Sequence, residues 1–149
     1  MDYVLRKAET DDTIRIEELF IEMLQAIYHT DDVEGYETGY LDKFFSDKED
    51  WICVAEYEND VVAFLSIEVY KDEDYIYLDD LSVAEGYRNK GIGTKLIQTA
   101  EKYAEKIGVT KIVFHVEKTN REAYRLYSRL GYSVDADEGS RIRMNKAIT

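Results

Sequence analysis

Three strand-like runs follow one another with almost nothing between them. Trp51 to Tyr57, Val61 to Tyr70 and Tyr75 to Val83 are rich in β-branched and aromatic residues; the links between them are short, with Asn59-Asp60 and Lys71 to Asp74 supplying the turns. Links that short join antiparallel neighbours and cannot carry a parallel crossover, so the middle of the chain must be an antiparallel meander. The period then changes. From about Gly91 to Ile107 the positions Leu96, Ile97, Ala100, Tyr103, Ala104 and Ile107 share one helical face, and Gly108 stands where a C-terminal cap belongs. A similar stripe, Ile16, Leu19, Phe20, Met23, Leu24 and Ile27, predicts a helix over Asp11 to Tyr28, with Asp11 and Asp12 at its positive end. Tyr3 to Arg6, Lys111 to Val116, Gly131 to Val134 and Arg141 to Met144 read as further strands, Asn120 to Leu130 as a helix, and Tyr40 to Phe45 as a short one. This order predicts an α+β fold: a mixed, mostly antiparallel central sheet of about seven strands flanked by about four helices.

The chain has no proline, no low-complexity stretch and no repeat, so no linker is expected and residues 1–149 are read as one domain. Hydrophobic residues at 45% and charged residues at 34% suit a soluble globular chain. No apolar run approaches the roughly 20 residues of a membrane span, and the first residues lack the apolar segment of a signal peptide. The lone Cys53 excludes an internal disulfide framework, which points to the cytoplasm. His29 and His115 are far apart, and no CxxC or HExxH spacing occurs, so no metal is expected. A net charge of −13 repels phosphate backbones and anionic lipid, which argues against nucleic-acid or membrane partners; it suits a cationic acceptor, and simple solubility explains it equally.

A polyanion could be held against that field only by a local device, and one candidate stands out. Arg88-Asn89-Lys90-Gly91-Ile92-Gly93 lies between a strand and the strongest helix. Glycine permits positive φ and close ligand approach, and the unpaired N–H groups of a helix start form an anion site. Arg88 and Lys90 add positive charge, so a pyrophosphate is the natural occupant. The same turn could merely cap the helix. A Walker A loop is absent, and a dinucleotide fold would need a third glycine and an N-terminal βαβ unit.

Arg88-x-x-Gly91-x-Gly93 resembles the coenzyme A pyrophosphate loop of the GNAT acetyltransferase superfamily. Leu78-Asp79-Asp80-Leu81-Ser82-Val83 resembles that family's fourth strand, and Asn120-x-x-Ala123-x-x-x-Tyr127-x-x-x-Gly131-Tyr132 its later motif. The three motifs stand in the family's order. The resemblance implies an acetyl-coenzyme A-dependent N-acetyltransferase working by direct transfer to an amine, with no acyl-cysteine at Cys53. It implies that the pantetheine arm pairs with the backbone about Leu81, Ser82 and Val83, as an added strand. A backbone N–H there, that of Val83 foremost, would stabilise the oxyanion. The amides of Arg88, Asn89, Lys90, Gly91, Ile92, Gly93 and Thr94 would take the pyrophosphate, and Asn120 and Ala123 would border the arm.

Tyr127 shares a helix stripe with Ala123, Leu126 and Leu130, as a core tyrosine would. By resemblance it stands near the thioester sulfur, where a phenol of pKa about 10 can protonate a departing thiolate. Asp79 and Asp80 face opposite sides of a regular strand, so only one should meet the acceptor. Asp79, with the parity of Tyr75, Tyr77, Leu81 and Val83, is favoured as the catalytic one, an anchor for the cationic amine that relays its proton through water; a charged strand end in solvent explains both aspartates as well. By the same resemblance, Tyr28, Tyr36 and Tyr40, among Asp31, Asp32, Glu34 and Glu37, occupy the region that shapes the acceptor pocket, and aromatic faces with carboxylates suit a cation. A solvated loop explains them as well. His115 and Cys53 read as structural. The acceptor implied is a small cationic amine, with a protein N-terminus or lysine as the alternative. A non-catalytic acyl-coenzyme A sensor is the competing class. The resemblance also implies a possible homodimer, since late strands of that fold often pair across one.

Overall fold

The structure, a computed structural model, describes residues 2–46 and 49–148. Its meander is the one the short links require. Seven strands, β1 (Val4–Lys7), β2 (Trp51–Tyr57), β3 (Asp60–Tyr70), β4 (Tyr75–Val83), β5 (Lys111–Glu117), β6 (Ser133–Asp137) and β7 (Arg141–Ala147), form one sheet in the order β1-β2-β3-β4-β5-β7-β6. Every neighbouring pair is antiparallel except β4 with β5. The first hairpin turns one residue earlier than expected. Glu58 and Asn59, not Asn59-Asp60, carry the positive φ of 50° and 65° that lets a two-residue loop match the sheet's twist.

Three α-helices, α1 (Thr13–Tyr28), α2 (Ile92–Ile107) and α3 (Arg121–Arg129), and a 3-10 helix at Tyr40–Phe45 accompany the sheet. A turn of 3-10 helix at Thr10–Asp12 leads into α1, and Asp12 closes it by accepting the Glu9 N–H and bonding Arg6, each at 2.8 Å. Helix α1 packs on β3 and β4, and α2 on β2 to β5. Ile16 and Leu19 of α1, Leu96, Ile97 and Ala100 of α2, and Phe64, Leu65 and Ile67 of β3 are fully buried. At roughly 1.5–3 kcal/mol for each large side chain, this core holds the central strands firmly.

Two departures from regular pairing open and shape one side of the sheet. Strands β4 and β5 pair only at Ile76–Ile112 and Tyr77–Val113, and then diverge. Strand β4 also bulges. Between the pairs Ile67–Leu78 and Leu65–Leu81, Asp79 and Asp80 together face the single residue Ser66.

Candidate active site

A cavity of about 740 Å³ lies where β4 and β5 diverge, lined by Leu81, Ser82, Val83, the turn before α2, and the start of α3. Gly91 is the N-cap of α2 with φ of +83°, and the first helical bond runs from the Lys95 N–H to its carbonyl at 3.1 Å. The N–H groups of Ile92, Gly93 and Thr94 therefore have no partner within the helix, and all three residues line the cavity. Asn89, at φ +60°, lines it too. A Cβ on Gly93 would meet only Leu126 at 3.6 Å and Leu81 at 3.8 Å, so the fold alone does not demand glycine there.

The strand edge is also open. The Asp80 N–H donates to Ser66 Oγ at 2.9 Å and the Ala84 N–H to the Val62 carbonyl at 2.8 Å, so positions 80, 82 and 84 face β3. Leu81 and Val83 thus turn their N–H and C=O groups toward the gap left by β5. The Val83 carbonyl is taken by Arg88 Nε at 2.9 Å, whose guanidinium also lies 3.6 Å from Glu22. Ser82 is buried and donates to the Leu19 carbonyl at 2.8 Å, which ties β4 to α1. Asn120 caps α3, its Oδ1 accepting the Ala123 N–H at 3.3 Å, which leaves its amide N–H₂ for the cavity. Lys90 is exposed and does not line the cavity, against expectation. Arg121 and Arg129 do, and they add positive charge that no sequence motif marks.

A second cavity, of about 290 Å³, meets the first along Leu81, Asn120, Ala123 and Tyr127. Asp79 and Asp80 both line it, with Tyr28, Tyr77, His115, Glu117 and Arg141. The parity argument for Asp79 alone therefore fails, because the bulge breaks the alternation and turns both carboxylates to one side. Tyr36 and Tyr40 do not line the cavity as expected but stand behind it. Phe20, Tyr36 and Tyr40 stack with centroids 3.8 and 4.9 Å apart. Tyr36 donates to Asp80 at 2.7 Å, and Tyr40 donates to Asp79. Burial, and next the charge of Asp79, push the Asp80 carboxyl up to about 7, the Tyr36 hydrogen bond opposing them.

Tyr127, against Phe114 at 4.2 Å between centroids, borders both cavities. Burial and the charge of Asp80 hold its phenol above the usual range, so it keeps its proton at neutral pH. Tyr28 is half-exposed at the rim. His115 accepts or donates at Nδ1 to the Tyr77 hydroxyl, 2.6 Å away, and its Nε2 lies 3.1 Å from Glu138. Burial pushes the Cys53 thiol up to about 11, leaving no thiolate at neutral pH. Among the described residues no cluster of His, Cys, Asp or Glu could hold a metal, and no helix is long and apolar enough to cross a membrane.

Known proteins share both the sequence pattern and the fold. The sequence pattern of the Acetyltransferase (GNAT) family matches residues 15–132. The chain is 30% identical over 136 residues to the uncharacterized N-acetyltransferase YhfO of Bacillus subtilis, covering 88% of this chain and 90% of that one. It is also 30% identical over 130 residues to the uncharacterized N-acetyltransferase MJ1530 of Methanocaldococcus jannaschii, with 87% and 77% covered. Among solved structures, the PaiA N-acetyltransferase of Thermoplasma acidophilum, in complex with coenzyme A, superposes with a TM-score of 0.83 at 20% identity, over 99% of both chains.

Proposed function

The chain belongs to the acetyltransferase (GNAT) family, and from that premise we propose that this N-acetyltransferase moves an acetyl group from acetyl-coenzyme A directly to the amine of a small cationic acceptor. The observation that carries the reading is the meeting of two unlike cavities at Leu81 and Tyr127: one edged by free backbone donors and arginines, the other by Asp79 and Asp80. The donor cavity suits a pyrophosphate, since the unpaired N–H groups from Ile92 to Thr94 converge there with Arg121 and Arg129. Bound acetyl-coenzyme A supplies a thioester whose carbonyl carbon an amine can attack and whose sulfur leaves as a thiol.

The protein's part is binding, polarisation and proton transfer. The N–H groups of Leu81 and Val83 point into the gap, and that of Val83 serves as the donor to negative charge developing on an acyl oxygen. Asp79 anchors the acceptor's ammonium. Asp80 takes its proton, because a carboxyl raised to about 7 is a far better base for an amine than one near 4. Tyr36 and Tyr40 hold the two carboxylates in place. Tyr127 gives its proton to the departing sulfur. The lone, buried Cys53 fits a cytoplasmic setting.

Thiol release from acetyl-coenzyme A, followed over a panel of small amines, aminoglycosides and lysine-bearing peptides, tests the reading. Turnover concentrated among small cations is expected. Turnover confined to peptides would overturn it.

A further inference from the structure

We propose that the acceptor carries a carboxylate and an α-ammonium at the end away from its reacting amine, as a diamino acid does, and that Arg141 and Glu117 receive them. The inference rests on the small cationic acceptor proposed above and names its class. Arg141 is the one arginine or lysine among the described residues that line the acceptor cavity, where it faces the carboxyl groups of Asp79, Asp80 and Glu117 as well as His115, Asn120 and apolar side chains. Glu117 lines the same cavity and stands directly opposite Arg141 in the β5–β7 register. Cross-strand neighbours of opposite charge would ordinarily pair with each other. These two do not: no ion pair within 4.0 Å joins them, and among the described residues Glu117 forms none at all. Among the described residues Arg141 is steadied only at Nε, 3.4 Å from Glu138, whose same oxygen lies 3.1 Å from His115 Nε2. Among the described residues no hydrogen bond occupies the guanidinium's outer nitrogens, the edge that grips a carboxylate in bidentate fashion.

Placement agrees with this reading. Strand β7 is two strands from β4 in the sheet, about 10 Å at ordinary spacing and more where β4 and β5 diverge. A side-chain amine at Asp79 and Asp80 can thus belong to a molecule whose amino-acid head lies between Glu117 and Arg141. The half-exposed Tyr28 borders the same rim. An acceptor with two ammonium ends and no carboxylate would leave Arg141 facing a cation.

The experiment compares kcat/KM for L-ornithine and L-lysine with that for putrescine and cadaverine, their decarboxylated counterparts, using the whole protein and acetyl-coenzyme A. Each amino acid is expected to exceed its diamine roughly tenfold or more, the worth of a charge-assisted bidentate contact. In Arg141→Met, and in Arg141→Gln as a second variant, that ratio should fall to about one. A ratio is indifferent to how much of the variant is folded. Equal values for amino acid and diamine, or a ratio unmoved by both substitutions, would overturn the inference while leaving the small cationic acceptor standing. Failure of every small amine would sink both.

Discussion

Asp80 owes its character to its place, and this can be measured in both stability and activity. In the folded chain its carboxyl holds a proton until about pH 7, whereas in an unfolded chain it loses one near its ordinary value of 3.8. Between those values the native state binds more protons, so this residue makes stability fall as pH rises from about 4 to about 7. Asparagine never acquires the charge and still accepts from Tyr36. Asp80→Asn should therefore melt several degrees above the parent at pH 8, with the advantage gone at pH 4. A melting temperature lowered at pH 8 would contradict the raised value. Activity should move the other way. Removing the base should lower kcat about a hundredfold and erase the inflection near pH 7 in the pH–rate profile, with Asp79→Asn costing less. Tyr127→Phe tests the acid arm. Its kcat should drop by about ten- to a hundredfold while calorimetric affinity for acetyl-coenzyme A changes less than about twofold, since the ring still packs on Phe114. Weakened donor binding with unchanged turnover would assign the tyrosine to packing alone.

At the scale of elements, the turn before α2 decides donor binding. Gly91 is left-handed with open space around the position of a Cβ, so a side chain there is opposed by backbone conformation and not by crowding. Valine, β-branched, resists that conformation most. Gly91→Val should swing the N–H groups of Ile92 to Thr94 off their common target and raise the Kd for coenzyme A at least tenfold by calorimetry. Gly91→Asn, which tolerates φ > 0, should stay near the parent. Such elements were legible because each carries its own period or cap: the strand runs of the meander, the stripe of α2, the glycines at 91 and 108. The bulge was not. Asp79 and Asp80 are adjacent and alike, so nothing local says which pairs with Ser66 and which is extra. The stretch before Tyr40 has no apolar period, and the role of Tyr36 behind Asp80 exists only after the loop folds over β4. Arg121 and Arg129 belong to no motif in the sequence, and only the place of α3 in the fold brings them to a cavity.

Over the whole molecule, a net charge of −13 acts on both substrates at once and in opposite senses. The donor is an anion and meets the local N–H groups and arginines at contact range, where salt screens poorly. The acceptor is drawn by the summed field before it reaches Asp79 and Asp80, and a cleft lined by one sign concentrates that field. The Debye length shrinks from about 30 Å at 0.01 M to about 3 Å at 1 M, so the long-range part can be switched off without touching the site. Attraction scales with the acceptor's charge. Raising ionic strength from about 0.01 M to about 1 M should therefore increase the KM of a dicationic acceptor several-fold, that of a monocationic amine about half as much on a logarithmic scale, and leave kcat unaltered. Steady-state rates with putrescine and butylamine, at saturating acetyl-coenzyme A, provide the comparison. If both KM values rise in parallel, or neither moves, the acidic surface serves solubility alone and capture of the acceptor rests on the cavity's own carboxylates.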